Sequence, residues 1–309
     1  MSRIHEALKK AAEERSAQTA GKSVSDLVDL TGQGTAAETV RQTAPANPTN
    51  AVARPKTEPP ITKYEEFANR CATVTWKIEP SASVFSAHMD HLAGAEKFRT
   101  LRSRLYQVAT AQPLKKILIT SSTPAEGKTF VAANLAQSFI RQTDRRVLLI
   151  DSDLRASRLH LHLGAQESPG LSDYLRGDCD EFQVTQIGAG GNLCLIPGGS
   201  DVSNPSELLH SDRMRQLLER MSLIFDWIIL DSPPALAVHD ASILADMCDG
   251  VLFVVRAGST DYEQAAKASS EFHDKNLLGV VLNRVEKGDS YGDYYYGYQS
   301  EKQTEQSTE

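Results

Sequence analysis

Basic residues are in deficit in this chain. Its 309 residues carry 33 Lys and Arg against 40 Asp and Glu, a formal net charge of −7. A bulk electrostatic nucleic-acid binder normally presents a basic face, so this balance argues against nucleic acid as a partner and leaves room only for local basic patches. Long apolar runs are missing as well: none approaches the roughly 18–20 residues that a helix needs to span a bilayer. The segment Met1–Arg15 is too charged to hold the continuous apolar core of a secretory signal. Cysteine is sparse. Cys71, Cys179, Cys194 and Cys248 are scattered, with no Cys-x-x-Cys pair and no His nearby at metal-ligand spacing. Dispersed thiols without an export signal predict reduced, inert cysteines and a cytoplasmic protein, with any membrane contact made through a partner.

What is present is the composition of an ordinary globular chain, with length for one large α/β domain plus appendages or for two small domains. Ser2–Arg15 has helix-forming composition, with Ile4, Leu8 and Ala11 at i, i+4, i+7 behind a Ser2 N-cap candidate. It reads as a short marginal helix or as a docking helix for a partner. Residues 16–60 are rich in Ala, Thr, Gly, Gln and Pro, and end in Arg54-Pro55-Lys56-Thr57-Glu58-Pro59-Pro60. Such a segment buries too little surface to offset its ordering entropy, which predicts a flexible linker. Order is expected to resume near Val84. The expected boundaries are therefore 1–15 for the helix, 16–84 for a linker, 85–286 for the main domain and 287–309 for a disordered tail.

Within the main domain, strand and helix signals alternate. Strands are expected at Lys116–Ser121, Arg146–Asp151, Asn192–Pro197, Trp227–Asp231, Gly250–Arg256 and Leu278–Asn283. Helices are expected at Lys128–Arg141, Ser211–Phe225, Ala241–Cys248 and Asp261–Lys275. Continuous apolar runs such as Val147-Leu148-Leu149-Ile150 and Trp227-Ile228-Ile229-Leu230 indicate burial on both faces. The pattern predicts an α/β fold: a doubly wound, mostly parallel sheet with helices on both faces and right-handed crossovers. Ligands of such sheets bind at the carboxyl ends of the strands.

The chemistry-bearing residues collect at those ends. Ser121-Ser122-Thr123-Pro124-Ala125-Glu126-Gly127-Lys128-Thr129 follows the first strand and opens into a helix, the layout of a P-loop. Backbone N–H groups from Ser122 to Phe130 are placed to hold nucleotide phosphates, with Lys128 reaching the β/γ-phosphates and the Thr129 hydroxyl on Mg²⁺. Ser122 stands where the usual pattern has Gly, and Ala125 where Gly would be easier. Asp151-Ser152-Asp153-Leu154-Arg155 ends the second strand and Asp231-Ser232-Pro233-Pro234 the fourth. A lone Asp at a strand end is commonly a turn former or N-cap. Three carboxylates on the edge that carries a P-loop instead suit Mg²⁺, a hard cation that takes one or two carboxylates plus phosphate and water.

This combination resembles the deviant Walker ATPases, the group of MinD and ParA. Within it the chain is similar to the bacterial tyrosine kinases of capsule and exopolysaccharide systems, over roughly residues 85–298. Their P-loop typically reads Ser-Ser-x-Pro-Gly-Glu-Gly-Lys-[Ser/Thr], from which only Ala125 departs. Ile150–Arg155 matches their second Asp-x-Asp box, Asp231–Pro234 their Walker B end, and Asn204-Pro205-x-Glu207-Leu208-Leu209-x-Ser211 a further family segment. MinD and ParA relatives generally carry a signature Lys near the start of the loop; Ser121 and Ser122 offer none.

The resemblance implies ATP and Mg²⁺ as cofactors, Thr129, Asp153 and Asp231 around the metal, and Asp151 as base for a tyrosine hydroxyl. The roles of Asp151 and Asp153 are open to exchange. Arg155 is left between a phosphate contact, an interface contact and a surface role, and Asn283 between an adenine contact and a turn residue. Glu96-x-x-Arg99-x-x-Arg102 is a solvated charge stripe on its own merits; in the family it makes subunit contacts in a ring oligomer. Five of nine tyrosines, Tyr291, Tyr294, Tyr295, Tyr296 and Tyr298, crowd the tail. By resemblance they are the autophosphorylation sites, filled in trans within the ring. The family further implies a separate membrane-embedded polysaccharide co-polymerase as activator, recruitment to the inner face of the plasma membrane, and a tyrosine phosphatase. The competing expectation is a MinD- or ParA-type ATPase switch with no kinase activity.

Overall fold

The computed structural model describes residues 61–85 and 93–285. They belong to one compact unit, Thr57–Glu309; a second, Met1–Lys56, lies wholly outside them. The expected N-terminal helix and the tyrosine tail also fall outside the described residues.

Eight strands form one sheet: β1 (Ala72–Val74), β2 (Lys116–Ser121), β3 (Val147–Asp151), β4 (Gln186–Gly188), β5 (Leu193–Ile196), β6 (Trp227–Asp231), β7 (Gly250–Arg256) and β8 (Leu277–Asn283). Their order is β1-β4-β5-β3-β6-β2-β7-β8. Neighbours are parallel except β4 and β5, so the small β1–β4 edge runs against the other strands. The apolar runs sort by alternation, as strand geometry requires. Leu118, Leu148, Ile150, Ile228 and Leu230 enter the core on one side; Ile117, Ile119, Leu149 and Ile229 enter the core on the other. The first core is closed by α7 (Asp212–Ile224), which buries Met214, Leu217, Leu218 and Met221 at i, i+3, i+4, i+7. Ser211 caps that helix by accepting from the Met214 N–H. The second is closed by α3 (Lys128–Ile140), buried from Val131 to Phe139. Such a helix is buried all round because the sheet covers one flank and α2 (Ala93–Ala111) another, and its buried polar residues Asn134, Gln137 and Ser138 are all hydrogen-bonded.

The expected linker boundary at residue 84 is too late. Residues 64–68 form α1 (Tyr64–Ala68), and Ala72–Val74 joins the sheet edge. Tyr64 and Phe67 are buried and meet Phe225 edge to face, each with its centroid 5.6 Å from it. Full burial of one such ring is worth about 1.5–3 kcal/mol, so the two together offset part of the entropy cost of ordering a segment that composition alone leaves loose. Farther on, Asn134 of α3 clamps the chain, accepting from the Val84 N–H at 2.8 Å and donating to the Ala82 carbonyl at 3.0 Å. The short helices α4 (Leu159–Leu163), α5 (Leu171–Arg176) and α6 (Pro205–Leu209) were not expected either: five or six residues are too few for a helical period to show. The helix expected at Ala241–Cys248 is α8 (Asp240–Ala245), one residue earlier at its start and three at its end. That at 261–275 is α9 (Tyr262–Ser270), which starts behind an Asp261 N-cap.

Candidate active site

The carboxyl ends of β2, β3, β6, β7 and β8 meet at the loop between β2 and α3. Ser122 sits at its start and is fully buried. Its hydroxyl donates to Glu126 Oε1 at 2.7 Å, and the Thr123 N–H donates to Glu126 Oε2 at 2.9 Å. The serine thus supplies a side-chain tie across the turn that a glycine lacks. Gly127 has φ 97° and caps α3. A Cβ there would lie 2.0 Å from Asn283 Nδ2, so only glycine fits. Asn283 donates to the Glu126 carbonyl at 2.9 Å; its amide nitrogen braces the loop. Phe130 packs against Phe98 at 6.1 Å and belongs to the helix–helix core. Pro124 and Ala125 form the exposed crest.

Ala125 has φ 65°, so the loop does impose the left-handed conformation there. That conformation costs a non-glycine residue about 1–2 kcal/mol. Ala125→Gly recovers this cost, less the roughly 0.4–1 kcal/mol of extra freedom that glycine adds to the unfolded chain. A net gain of about 0.5–1 kcal/mol is expected, seen as a higher denaturation midpoint at unchanged m-value.

Strand register brings the carboxylates together. Asp151 pairs with Asp231 across β3 and β6, and β6 lies against the P-loop strand β2. The Asp231–Pro234 segment is sewn to that strand: the Ser232 N–H donates to the Ile119 carbonyl at 3.1 Å and the Thr120 hydroxyl to the Pro233 carbonyl at 2.9 Å. Lys128 Nζ lies 3.0 Å from Asp153 Oδ2. Burial pushes the Lys128 pKa down, but Asp231, Asp153 and Asp151 more than offset it and the net shift is upward, so the ammonium stays charged. Asp151 is fully buried; its Oδ2 takes the Ser157 hydroxyl at 2.7 Å and the Arg158 and Leu159 N–H groups at 2.9 Å each. It therefore anchors the loop that presents Asp153, and burial still holds its pKa above the usual carboxylate range.

Asp231 is 1% exposed, and its Oδ1 is buried without a hydrogen-bond partner. Burial pushes its carboxyl up to about 8, partly countered by Lys128 and by a hydrogen bond with Thr129. An orphaned carboxylate oxygen beside a threonine hydroxyl fits a divalent cation as the missing partner. Among the described residues, no group of three or more His, Cys, Asp or Glu side chains is placed to hold a metal alone. Mg²⁺ carried in on nucleotide phosphates does not need one. Two clefts of about 390 and 350 Å³ lie elsewhere and contain none of these residues.

Residues 117–307 match the CobQ/CobB/MinD/ParA nucleotide binding domain family. The tyrosine-protein kinase YwqD of Bacillus subtilis is 37% identical over 207 residues, covering 66% of this chain and 86% of that protein. The chain belongs to the bacterial tyrosine-kinase branch of that family. The tyrosine-protein kinase wzc of Salmonella typhimurium is 37% identical over 212 residues, which are 67% of this chain but 29% of wzc. The kinase domain of the Escherichia coli tyrosine kinase ETK superposes with a TM-score of 0.64 at 31% identity, over 71% of this chain and 91% of that one. No helix of the described residues is long and apolar enough to cross a membrane.

Other expected site residues of this bacterial tyrosine kinase are held in unexpected ways. Arg155 reaches Asp240 at 2.7 Å and the Ser206 hydroxyl at 2.8 Å, which ties the Asp153 loop to α6 and α8. Glu96 and Arg99 pair at 3.0 Å on the exposed face of α2. Arg102 turns inward and donates to the Ser138 carbonyl near the end of α3, where a cation is favoured by the helix dipole. The three charges therefore do not form one outward stripe. Sequence reasoning missed Ser157, Asp240 and Thr260. Only Thr260 left a signal, since Ala257-Gly258-Ser259-Thr260 is a turn cluster behind β7.

Proposed function

We propose that this chain is an ATP-dependent protein-tyrosine autokinase whose acceptors are Tyr291, Tyr294, Tyr295, Tyr296 and Tyr298. The observation that carries the reading is the convergence of Lys128, Asp153 and the orphaned Asp231 oxygen beside a phosphate-binding loop. ATP phosphates lie on the loop from Ser122 to Thr129, and Lys128 leaves Asp153 to spread its charge over the β/γ-phosphates. Thr129 and Asp231, with Asp153 beside them, would hold Mg²⁺, which supplies charge neutralisation at the transferring phosphoryl group. The proton acceptor for the tyrosine belongs to the Asp151–Asp153 pair. An unperturbed phenol has a pKa near 10, so a positioned carboxylate contributes about 10²–10⁴-fold.

The chain's family supports transfer in trans within a ring, with Glu96 and Arg99 at the subunit contact. It also supports a role in regulating exopolysaccharide or capsule polymerisation and export. A membrane-embedded co-polymerase would then recruit and activate the kinase at the inner face of the membrane, and a tyrosine phosphatase would reset it. Incubation with ATP and Mg²⁺ followed by phosphotyrosine mapping tests the reading. Label on Tyr291–Tyr298 is expected. No label, with or without the partner's cytoplasmic segment, would overturn it in favour of a MinD- or ParA-type switch.

A further inference from the structure

Glu126 is a carboxylate buried directly inside an anion-binding loop. At 2% exposure it cannot shed its charge into water, and a negative group there opposes the arriving phosphates unless donors spread it. Two of its donors, the Ser122 hydroxyl and the Thr123 N–H, belong to the loop. The third is the Thr260 hydroxyl, which donates to Glu126 Oε1 from the turn between β7 and α9. Thr260 Oγ1 also accepts from the Arg256 N–H at 3.0 Å, at the last residue of β7. The hydroxyl is therefore used in both directions. It links the end of a rigid central strand to the inside of the phosphate loop, in line with Arg256 N–H, Thr260 and Glu126.

We propose that Thr260 is a positioning residue of the phosphate site, acting through Glu126. By fixing and partly neutralising that carboxylate it keeps the loop in the shape that receives nucleotide phosphates. Thr260 does not touch the reacting atoms, so its loss acts on ATP binding rather than on the chemical step. The proposal rests on the loop holding ATP phosphates, and the test separates the two.

The full chain is titrated with ATP and Mg²⁺, and its autophosphorylation is followed over a range of ATP concentrations. Thr260→Val keeps the shape and removes the hydroxyl. It is expected to raise the Kd and KM for ATP about tenfold, the loss of one hydrogen bond to a charged group. kcat at saturating ATP should stay within about twofold. Thr260→Ser is expected to restore wild-type affinity. In a Glu126→Gln background, Thr260→Val should add less than about twofold, because the partner it serves is already changed. Wild-type affinity in Thr260→Val, or full additivity in the double variant, overturns the proposal while Lys128→Met still loses ATP. Unchanged ATP binding in Lys128→Met overturns the phosphate-loop reading itself. If Thr260→Val lacks a cooperative unfolding transition, Thr260→Ala is put through the same cycle with the same outcomes.

Discussion

Replacing Asp231 with Asn is expected to abolish tyrosine phosphorylation and, in the same protein, to raise the unfolding midpoint measured without nucleotide. Both effects come from one buried oxygen. Asp231 Oδ1 has no partner in the folded chain, and leaving a buried polar group unsatisfied costs about 1–3 kcal/mol, more when it is charged. An amide keeps an acceptor for Thr129 and removes the charge. The amide N–H groups that replace the orphaned oxygen take back part of what removing the charge returns, so a net gain of about 1–3 kcal/mol, several degrees in Tm for a domain of this size, is expected where the wild-type carboxyl is ionised. The gain depends on pH in a defined direction. Burial holds the folded Asp231 carboxyl up at about 8, whereas an exposed aspartate in the unfolded chain ionises near 4. Between these values the native state keeps a proton that the unfolded chain releases, so the wild type loses stability as pH rises from about 4 through 8. Asp231→Asn removes that loss, so its advantage should be near zero at pH 4 and largest above pH 8. Catalysis is expected to move the other way: in the proposed mechanism Asp231 ionises against the incoming Mg²⁺, and losing such a group costs about 10²–10³-fold or more. Thermal unfolding across pH and phosphate incorporation in parallel check both halves. A destabilised Asp231→Asn protein at pH 8 would contradict the buried-charge account.

That trade-off also marks what could be read from the chain alone. The central strands were legible because burial on both faces writes itself as unbroken apolar runs, and the site was legible because its groups follow those runs directly. Asp151, Asp231 and Lys128 are where strand-end reasoning puts them. The bonds that decide each group's role were not legible. Glu126 meets Thr260 across 134 residues and Asn283 across 157, and no local pattern encodes either contact. Asp151 looks like an active-site carboxylate in sequence, yet its Oδ2 is filled by Ser157, Arg158 and Leu159. Ordering of residues 61–85 was missed for a related reason. Composition weighs what a segment buries against itself, whereas Tyr64 and Phe67 are buried against Phe225 on the far side of the chain.

Lys128→Met is expected to lower autophosphorylation by about 10²–10³-fold, since its ammonium is held among Asp231, Asp153 and Asp151. The same change removes the ion-pair partner of Asp153 and a charge that favours the ionised Asp231, so the inactive protein should also be less stable; its unfolding transition must be seen before its silence is read as chemistry. This variant decides between transfer within one chain and transfer between chains. Tyr291 lies eight residue steps beyond Asn283, a reach of at most about 28 Å when extended, so length alone permits transfer in cis. A ring would present the tail to the next subunit. Mixing Lys128→Met chains, inactive but with an intact tail, with active chains cut after residue 286 removes the cis route from both partners. Phosphate on the Tyr291–Tyr298 cluster of the inactive chain is the expected result, and its absence would rule out transfer in trans. Each phosphotyrosine adds about −1.5 to −2 charges to a tail that already holds Asp289 and Asp293. In the proposed ring, repulsion between loaded tails would supply a physical reason for the assembly to loosen as the reaction proceeds. Light scattering on wild-type chains and on chains with all five tail tyrosines changed to Phe should therefore diverge only after ATP is added. Identical masses throughout would separate phosphorylation from assembly.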